Sequence, residues 1–477
     1  MNVISRELLK LVTNCEKARV HTENKYRLKF HLMPPTGWLN DPNGLCQFHG
    51  EYHVFFQYTP FDSTGGLKVW GHYVSRDLLN WEYRGTPIMP DQPWDCHGVY
   101  SGSTFIENDE MYIYYTGNVK FPGDYDYISD GRGSNTILIT SKDGKNFSEK
   151  KCLLEMEDYP KNYTNHIRDP KIIKVDGAYY MVLGGRRKDD HGAVLLYKSE
   201  DLIKWEYHKE LTTKDAFGYM WECPDLMEID GDWFLGICPQ GVEREEYRFQ
   251  NIYQSGYYVG EGEYLGDYKL NDFVEWDMGF DFYAPQTFID ENGRRILIGW
   301  AGLPDIDNEY KNLTIEEEWQ HALTIPRVIT KQEKKLYQYP VEELKDLRTS
   351  KIDFNSNEKL TIQEGIFDLE ITNIKSKKIQ IQISDGLVLQ YENDVFSMKF
   401  TGNLGAGRTE RKAIVKELNE VRILCDVSLM EVYLNHGEYV FTTRFYGEDA
   451  PLTVLVDSED SVNTLWKMRD MEVNYEK

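Results

Sequence analysis

A chain of 477 residues is long enough to bury one large core and a second, smaller one. Its net charge of −25 argues against nucleic acid or an anionic membrane as partner and favours a neutral small molecule. With 33 Tyr and 11 Trp, the composition suits a β-rich protein that binds sugar. No stretch approaches the roughly 18 uninterrupted apolar residues of a membrane span. The first twenty residues hold neither an apolar core of signal-peptide length nor a small-residue cleavage site, so the expected compartment is the cytoplasm. The seven cysteines are scattered, odd in number and without paired metal-ligand spacing. They read as reduced thiols, and neither a metal nor another cofactor is expected.

In chain order, residues 1–24 form an N-terminal extension, and no long helix is expected anywhere. Between Gly37 and Gly44 comes Gly-Trp-Leu-Asn-Asp-Pro-Asn-Gly, a polar cluster wedged between apolar runs. Pro42 fixes its own φ and pushes Asp41 into an extended conformation. Asn43-Gly44 reads as a turn, and Trp38 offers a flat face that stacks on sugar rings. A turn followed by an aromatic-rich strand then recurs at 49–58, 107–117, 175–185, 229–239 and 291–301. A second pattern, a Ser-x-Asp turn before an aromatic strand, follows at 75–83, 141–149 and 199–207. Short strands at this period predict repeated antiparallel units, each too small to bury both faces alone. Radial packing of five such units gives an all-β, five-bladed β-propeller over 25–335. Residues 336–349 read as a linker, and the period-2 alternation of 350–477 predicts a C-terminal β-sandwich.

The repeat also places the polar clusters. Asp41 precedes the turn residue Gly50 of its unit by nine positions, and Ser101 precedes Asn108 by seven. Asp169 precedes Gly177 by eight, Glu222 precedes Gly231 by nine, and Tyr283 and Gln286 precede Gly293 by ten and seven. Equivalent positions on five innermost strands converge on one funnel, so three carboxylates from blades one, three and four face each other. Acids and aromatics without a histidine cluster suit glycoside hydrolysis, in which two carboxyl groups flank the scissile bond.

The motifs WLNDPNG, FQ at 56–57, WGH at 70–72, YSGS at 100–103, RDP at 168–170, EC at 222–223 and FYAPQ at 282–286 resemble those of glycoside hydrolase family 32. The similarity runs from about His31 to the C-terminal CDVSLMEVYLNHGE, and the propeller-plus-sandwich architecture of that family agrees with the repeat. The resemblance implies a retaining β-fructofuranosidase acting on sucrose or sucrose 6-phosphate, with a fructosyltransferase or exo-fructanase as the alternative. A non-catalytic sugar-binding propeller is opposed by the presence of all three acids. By the same resemblance, Asp41 is the nucleophile, Glu222 the general acid and then base, and Asp169 the stabiliser of the fructose unit, with Arg168 beside it. Asn40, Gln57, Trp70, Ser101, Tyr283 and Trp300 match positions lining the fructose pocket. Repulsion from the other two carboxylates is expected to keep the acid protonated, and amides of the Asn-Gly turn to hold the nucleophile charged.

Two departures from the family pattern are Tyr100, where Phe is usual, and the acidic Glu316-Glu317-Glu318 before Trp319. His72 reads as structural, and His97 lies near enough to the serine motif to line the funnel. Cys223 has no His-Asn partner pattern and reads as packing that positions Glu222. The basic run Gly184-Gly185-Arg186-Arg187-Lys188 is either a solvated hairpin tip or an anion contact, a sugar phosphate among the candidates.

Overall fold

The computed structural model describes residues 2–19, 24–447 and 451–475. Five antiparallel sheets succeed one another between residues 37 and 340. Their first strands, Gly37–Phe48, Val99–Glu107, Tyr163–Val175, Met220–Ile229 and Tyr283–Ile289, neighbour each other in turn, and the fifth returns to the first. This is the five-bladed propeller, with the first strand of every blade on the axis. Strands two and three of the first four blades are mostly buried because both of their faces meet neighbouring blades, as in Glu51–Thr59 and Val69–Ser75. In three blades a Ser-x-Asp turn closes the outer hairpin. Asp77, Asp143 and Asp201 each accept two backbone N–H groups of the turn, and Ser75, Ser141 and Ser199 each accept two more.

Two distant segments extend blade one. Trp319–Gln320 pairs parallel with its axial strand, and Glu472–Asn474 pairs parallel with its outermost strand, Asn80–Tyr83. The C-terminal domain packs two six-stranded antiparallel sheets over a core that includes Phe367, Leu369, Ile381, Leu389, Ile423, Val432 and Val454.

Two expectations need correction. The N-terminal extension carries a 17-residue helix, α1, Val3–Arg19. Its first turn is closed by the Asn2 side chain, which accepts the Ser5 N–H at 3.0 Å, and it docks on blade one through Cys15, Glu16 and the buried Val12. Apolar residues at 3, 4 and 11 leave it with a ragged amphipathic face, and these three side chains are exposed. The segment 336–349 is not a plain linker. Lys335–Pro340 is the outermost strand of blade five, with Leu336, Gln338 and Pro340 alternately buried, so only 341–347 joins the domains.

The joint is held by a buried charge network. Arg327, fully buried, donates to Glu431 and Thr442 of the sandwich and to Gln338, and lies 3.3 Å from Asp277. His31 bridges Asp426 and Glu431 at 2.7 and 3.0 Å. Burial alone would raise the Glu431 carboxyl, but Arg327, His31 and Tyr433 together hold it at about 2. Removing one member strands the others: Arg327→Met is expected to cost about 3–5 kcal/mol, read as a lowered urea midpoint.

Candidate active site

Every axial strand slips register at the same height. The slips fall between Leu39 and Pro42, Val99 and Gly102, Arg168 and Lys171, Glu222 and Asp225, and Tyr283 and Gln286. Each inserts extra residues that turn a side chain out of the pleat toward the axis, the usual effect of a β-bulge beside a site. Asp169, Cys223 and Ala284 reach left-handed φ values of 66°, 49° and 45° there, each at a cost of order 1–3 kcal/mol. Asn43-Gly44, expected as a turn, is a second slip within the continuous strand Gly37–Phe48. The bulges, not the turns, aim the acids.

Asp41 sits in a cradle of side chains. Its Oδ1 accepts Asn40 Nδ2 at 3.0 Å, and its Oδ2 accepts Gln57 Nε2 at 3.4 Å and the Ser101 hydroxyl. Asn40 is fixed in turn by Trp38 Nε1 at 2.8 Å and by Gln57 Oε1 at 3.0 Å. The expected backbone amides are thus replaced by side-chain donors. Burial pushes the Asp41 carboxyl up, and the Ser101 and Asn40 hydrogen bonds oppose that rise.

Glu222 is held from both sides. Arg168 donates to Oε1 from Nε at 2.9 Å and Nη2 at 2.7 Å, while Tyr283 Oη and Gln240 Nε2 each donate to Oε2 at 2.7 Å. The group on the acid is therefore a guanidinium, where repulsion between carboxylates was expected to dominate. Gln240 went unnoticed in the sequence. Its signal was available, because it is an amide at the end of a second strand, as Gln57 nearly is in blade one.

Asp169 accepts the Cys223 N–H at 2.9 Å on Oδ2, so blade four locks the acid of blade three. Burial pushes its carboxyl up to about 7; Arg168 opposes this, Glu222 and Asp41 add to it, and the Cys223 amide opposes it. Between the ordinary carboxylate range near 4 and about 7, the folded chain holds more protons here than the unfolded chain. This group's contribution to stability therefore falls as pH rises across that window. Asp169→Asn is expected to abolish turnover and raise the urea midpoint at pH 8, with a smaller rise at pH 5; an equal or larger rise at pH 5 would refute the assignment.

The remaining expected residues divide into pocket wall and backing. Trp38 is partly exposed, and Lys68 Nζ lies 4.9 Å over its ring. Trp70 is fully buried, with its indole N–H on the Tyr100 carbonyl at 3.1 Å, so it supports the serine strand from behind. Trp300, 2% exposed, stands edge-on to Trp38 and Tyr283 at 5.8 and 6.3 Å. Behind these indoles is His321, a buried ring missed in the sequence, 4.4 Å from Trp38. His72 is a core residue stacked on Phe55 at 3.9 Å. His97 is exposed, and its Nδ1 accepts the Lys120 amide. Glu317 turns to Trp319 and the Tyr26 amide, and Glu318 pairs with Arg19.

Cys223 Sγ lies 3.9 Å from Asp41 Oδ2, and contact with Cys238 and burial push its thiol well above the usual range. A thiol held protonated is no nucleophile. Cys223→Ala keeps the backbone amide that Asp169 needs, so kcat is expected to stay within about tenfold; a loss near the roughly 10⁵-fold of a missing nucleophile would reinstate the cysteine.

Residues 31–340 match the model of the glycosyl hydrolases family 32 N-terminal domain, and 343–469 that of the family's C-terminal domain. Among curated proteins, the chain is 37% identical over 454 residues to a sucrose-6-phosphate hydrolase of Bacillus subtilis, covering 90% of this chain and 91% of that protein. It is 38% identical over 459 residues to one of Staphylococcus xylosus, with 92% and 90% covered. Among solved structures, a sucrose-6-phosphate hydrolase from Lactobacillus gasseri superposes with a TM-score of 0.87 at 28% identity, over 97% of this chain and 96% of the other. A family 32 β-fructofuranosidase from Bombyx mori, solved in complex with sucrose, gives 0.85 at 29% identity over 99% and 100%.

Proposed function

The chain belongs to glycosyl hydrolase family 32, and on that premise we propose that it is a retaining β-fructofuranosidase cleaving sucrose or its 6-phosphate ester. The observation that carries this reading is the meeting of three acids from blades one, three and four, each fixed by donors from a neighbouring blade or strand. Asp41 attacks the anomeric C2 of the fructosyl unit through Oδ1, the oxygen with the single donor. As the C2–O bond breaks, Glu222 gives its proton to the departing oxygen, leaving a fructosyl ester on Asp41. Glu222 then takes a proton from water, the water attacks C2, and the ester bond returns its electrons to Asp41. Asp169, rigid on the Cys223 amide, accepts hydrogen bonds from fructose hydroxyls. Two inversions at C2 leave its configuration unchanged. Seven unpaired cysteines suit hydrolysis in a reducing compartment such as the cytoplasm.

The test compares kcat/KM for sucrose, sucrose 6-phosphate and 1-kestose, with proton NMR of the first-formed fructose. The reading expects cleavage of one or both sucrose forms, with β-fructofuranose appearing first. Early α-fructofuranose would refute retention. A large excess of free glucose over free fructose would show transfer in place of hydrolysis.

A further inference from the structure

Part of the basic run around Gly184 turns toward the site, and the function above leaves it unused. Arg187 pairs with Asp189 and Glu210, and Lys188 is exposed. Arg186 instead lies 4.5 Å over the Tyr219 ring, braced by Asp190, on the strand beside Arg168. The neighbouring strand carries a line of basic side chains that starts at Glu222. From Glu222 the line runs outward through Arg168 to His166 Nδ1 at 2.8 Å, and from His166 Nε2 to Arg132 Nη1 at 3.4 Å.

The line ends in an unmatched donor. A neutral imidazole has one nitrogen lone pair to offer. Arg168 uses it on Nδ1, and the Tyr127 carbonyl faces the ring as a backbone acceptor. His166 has nothing left to accept from Arg132. Burial and the guanidinium groups of Arg168, Arg132 and Arg186 hold this imidazole at about 2, so it stays neutral. Arg132 is 9% exposed, its Nε has no hydrogen-bond partner, and no carboxylate lies within ion-pair distance among the described residues. Its ring neighbour is Tyr100, 5.8 Å away. A buried guanidinium with no carboxylate in ion-pair reach is costly, and Glu222 and Asp169 act on this one only from further away.

Its position indicates its use. His166 lies two residues before Arg168 on the same axial strand, hence on the same face and one step further from the catalytic acid. The leaving sugar lies on the side of Glu222, which protonates it. We propose that Arg132 binds the phosphate ester of a phosphorylated leaving hexose, and so sets the choice between sucrose 6-phosphate and sucrose. This inference rests on the hydrolase reading above.

The test is the ratio of kcat/KM for sucrose 6-phosphate to that for sucrose, in wild type, Arg132→Gln, Arg132→Lys and Lys188→Gln. Without its charge-assisted hydrogen bond to the phosphate, Arg132→Gln is expected to show a ratio about 10- to 100-fold lower, mainly through KM. Arg132→Lys should fall in between, and Lys188→Gln should match wild type. Arg132→Gln is also expected to raise the urea midpoint, since it removes a buried charge with no ion-pair partner, so a misfolded variant is recognised by a lowered midpoint. In that event the ratio in Arg132→Lys decides. Inorganic phosphate should inhibit wild type more weakly than glucose 6-phosphate; the reverse order would assign a free-anion site and overturn the proposal. A ratio unchanged in both Arg132 variants also overturns it. A wild type that cleaves neither disaccharide defeats the hydrolase reading itself, and is thereby told apart.

Discussion

Asp41→Asn is expected to lower kcat for sucrose cleavage by about 10⁵-fold, the scale seen when a covalent nucleophile is removed. The substitution is nearly isosteric: the amide oxygen can take the Oδ1 place and keep the Asn40 donor, while the NH2 takes the Oδ2 place and the Ser101 hydroxyl rotates to accept from it. Folding should survive. Because burial already pushes the Asp41 carboxyl up, the neutral side chain is expected to leave the urea midpoint at pH 8 unchanged or higher. The loss should appear in kcat, since Gln57, Ser101 and Trp38 still form the pocket. Activity within a hundredfold of wild type would sink the covalent mechanism and leave Asp41 as a binding residue.

Glu222→Gln should cost about 10²–10⁴-fold on sucrose, the range for a general acid. The discriminating measurement uses β-fructosyl fluoride, whose leaving group needs no proton. There the first step recovers while the second still lacks its base, so the fructosyl ester on Asp41 accumulates and is read by intact-protein mass spectrometry. Glutamine keeps one carbonyl oxygen, which can stay on Arg168, while its NH2 faces Tyr283, whose hydroxyl can rotate to accept, and the Gln240 amide loses its acceptor. If fluoride release were as slow as sucrose cleavage, Glu222 would be doing something other than proton transfer.

The axial placement of the acids was legible because the chain repeats itself. Five aromatic strands of similar spacing identify the blades, and the positions of Asp41, Asp169 and Glu222 before each turn identify their height on the axis. What a single sequence cannot encode is which neighbour arrives from another blade. The pairing of Glu222 with Arg168, 54 positions away, and of Asp169 with the Cys223 amide depends on bulges that look like ordinary Asp-Pro or Glu-Cys-Pro runs. Arg132 was invisible for the same reason: its isolation is a property of the fold, read from the carboxylates that fail to reach it. The helix Val3–Arg19 escaped notice because a helix docked along one narrow line needs only a few buried residues, and its remaining apolar side chains blur the period.

The two strands that extend blade one also impose an order on the birth of the molecule. Blades two, three and four are each assembled from a single contiguous stretch, and can close soon after their own residues are made. Blade one, translated before any of them, stays open on its axial edge until Trp319–Gln320 emerge and on its outer edge until Glu472–Asn474 emerge. Asp41 therefore spends most of synthesis on a sheet with two free edges, the condition that invites mispairing with other chains. The first blade to be made is the last to be finished.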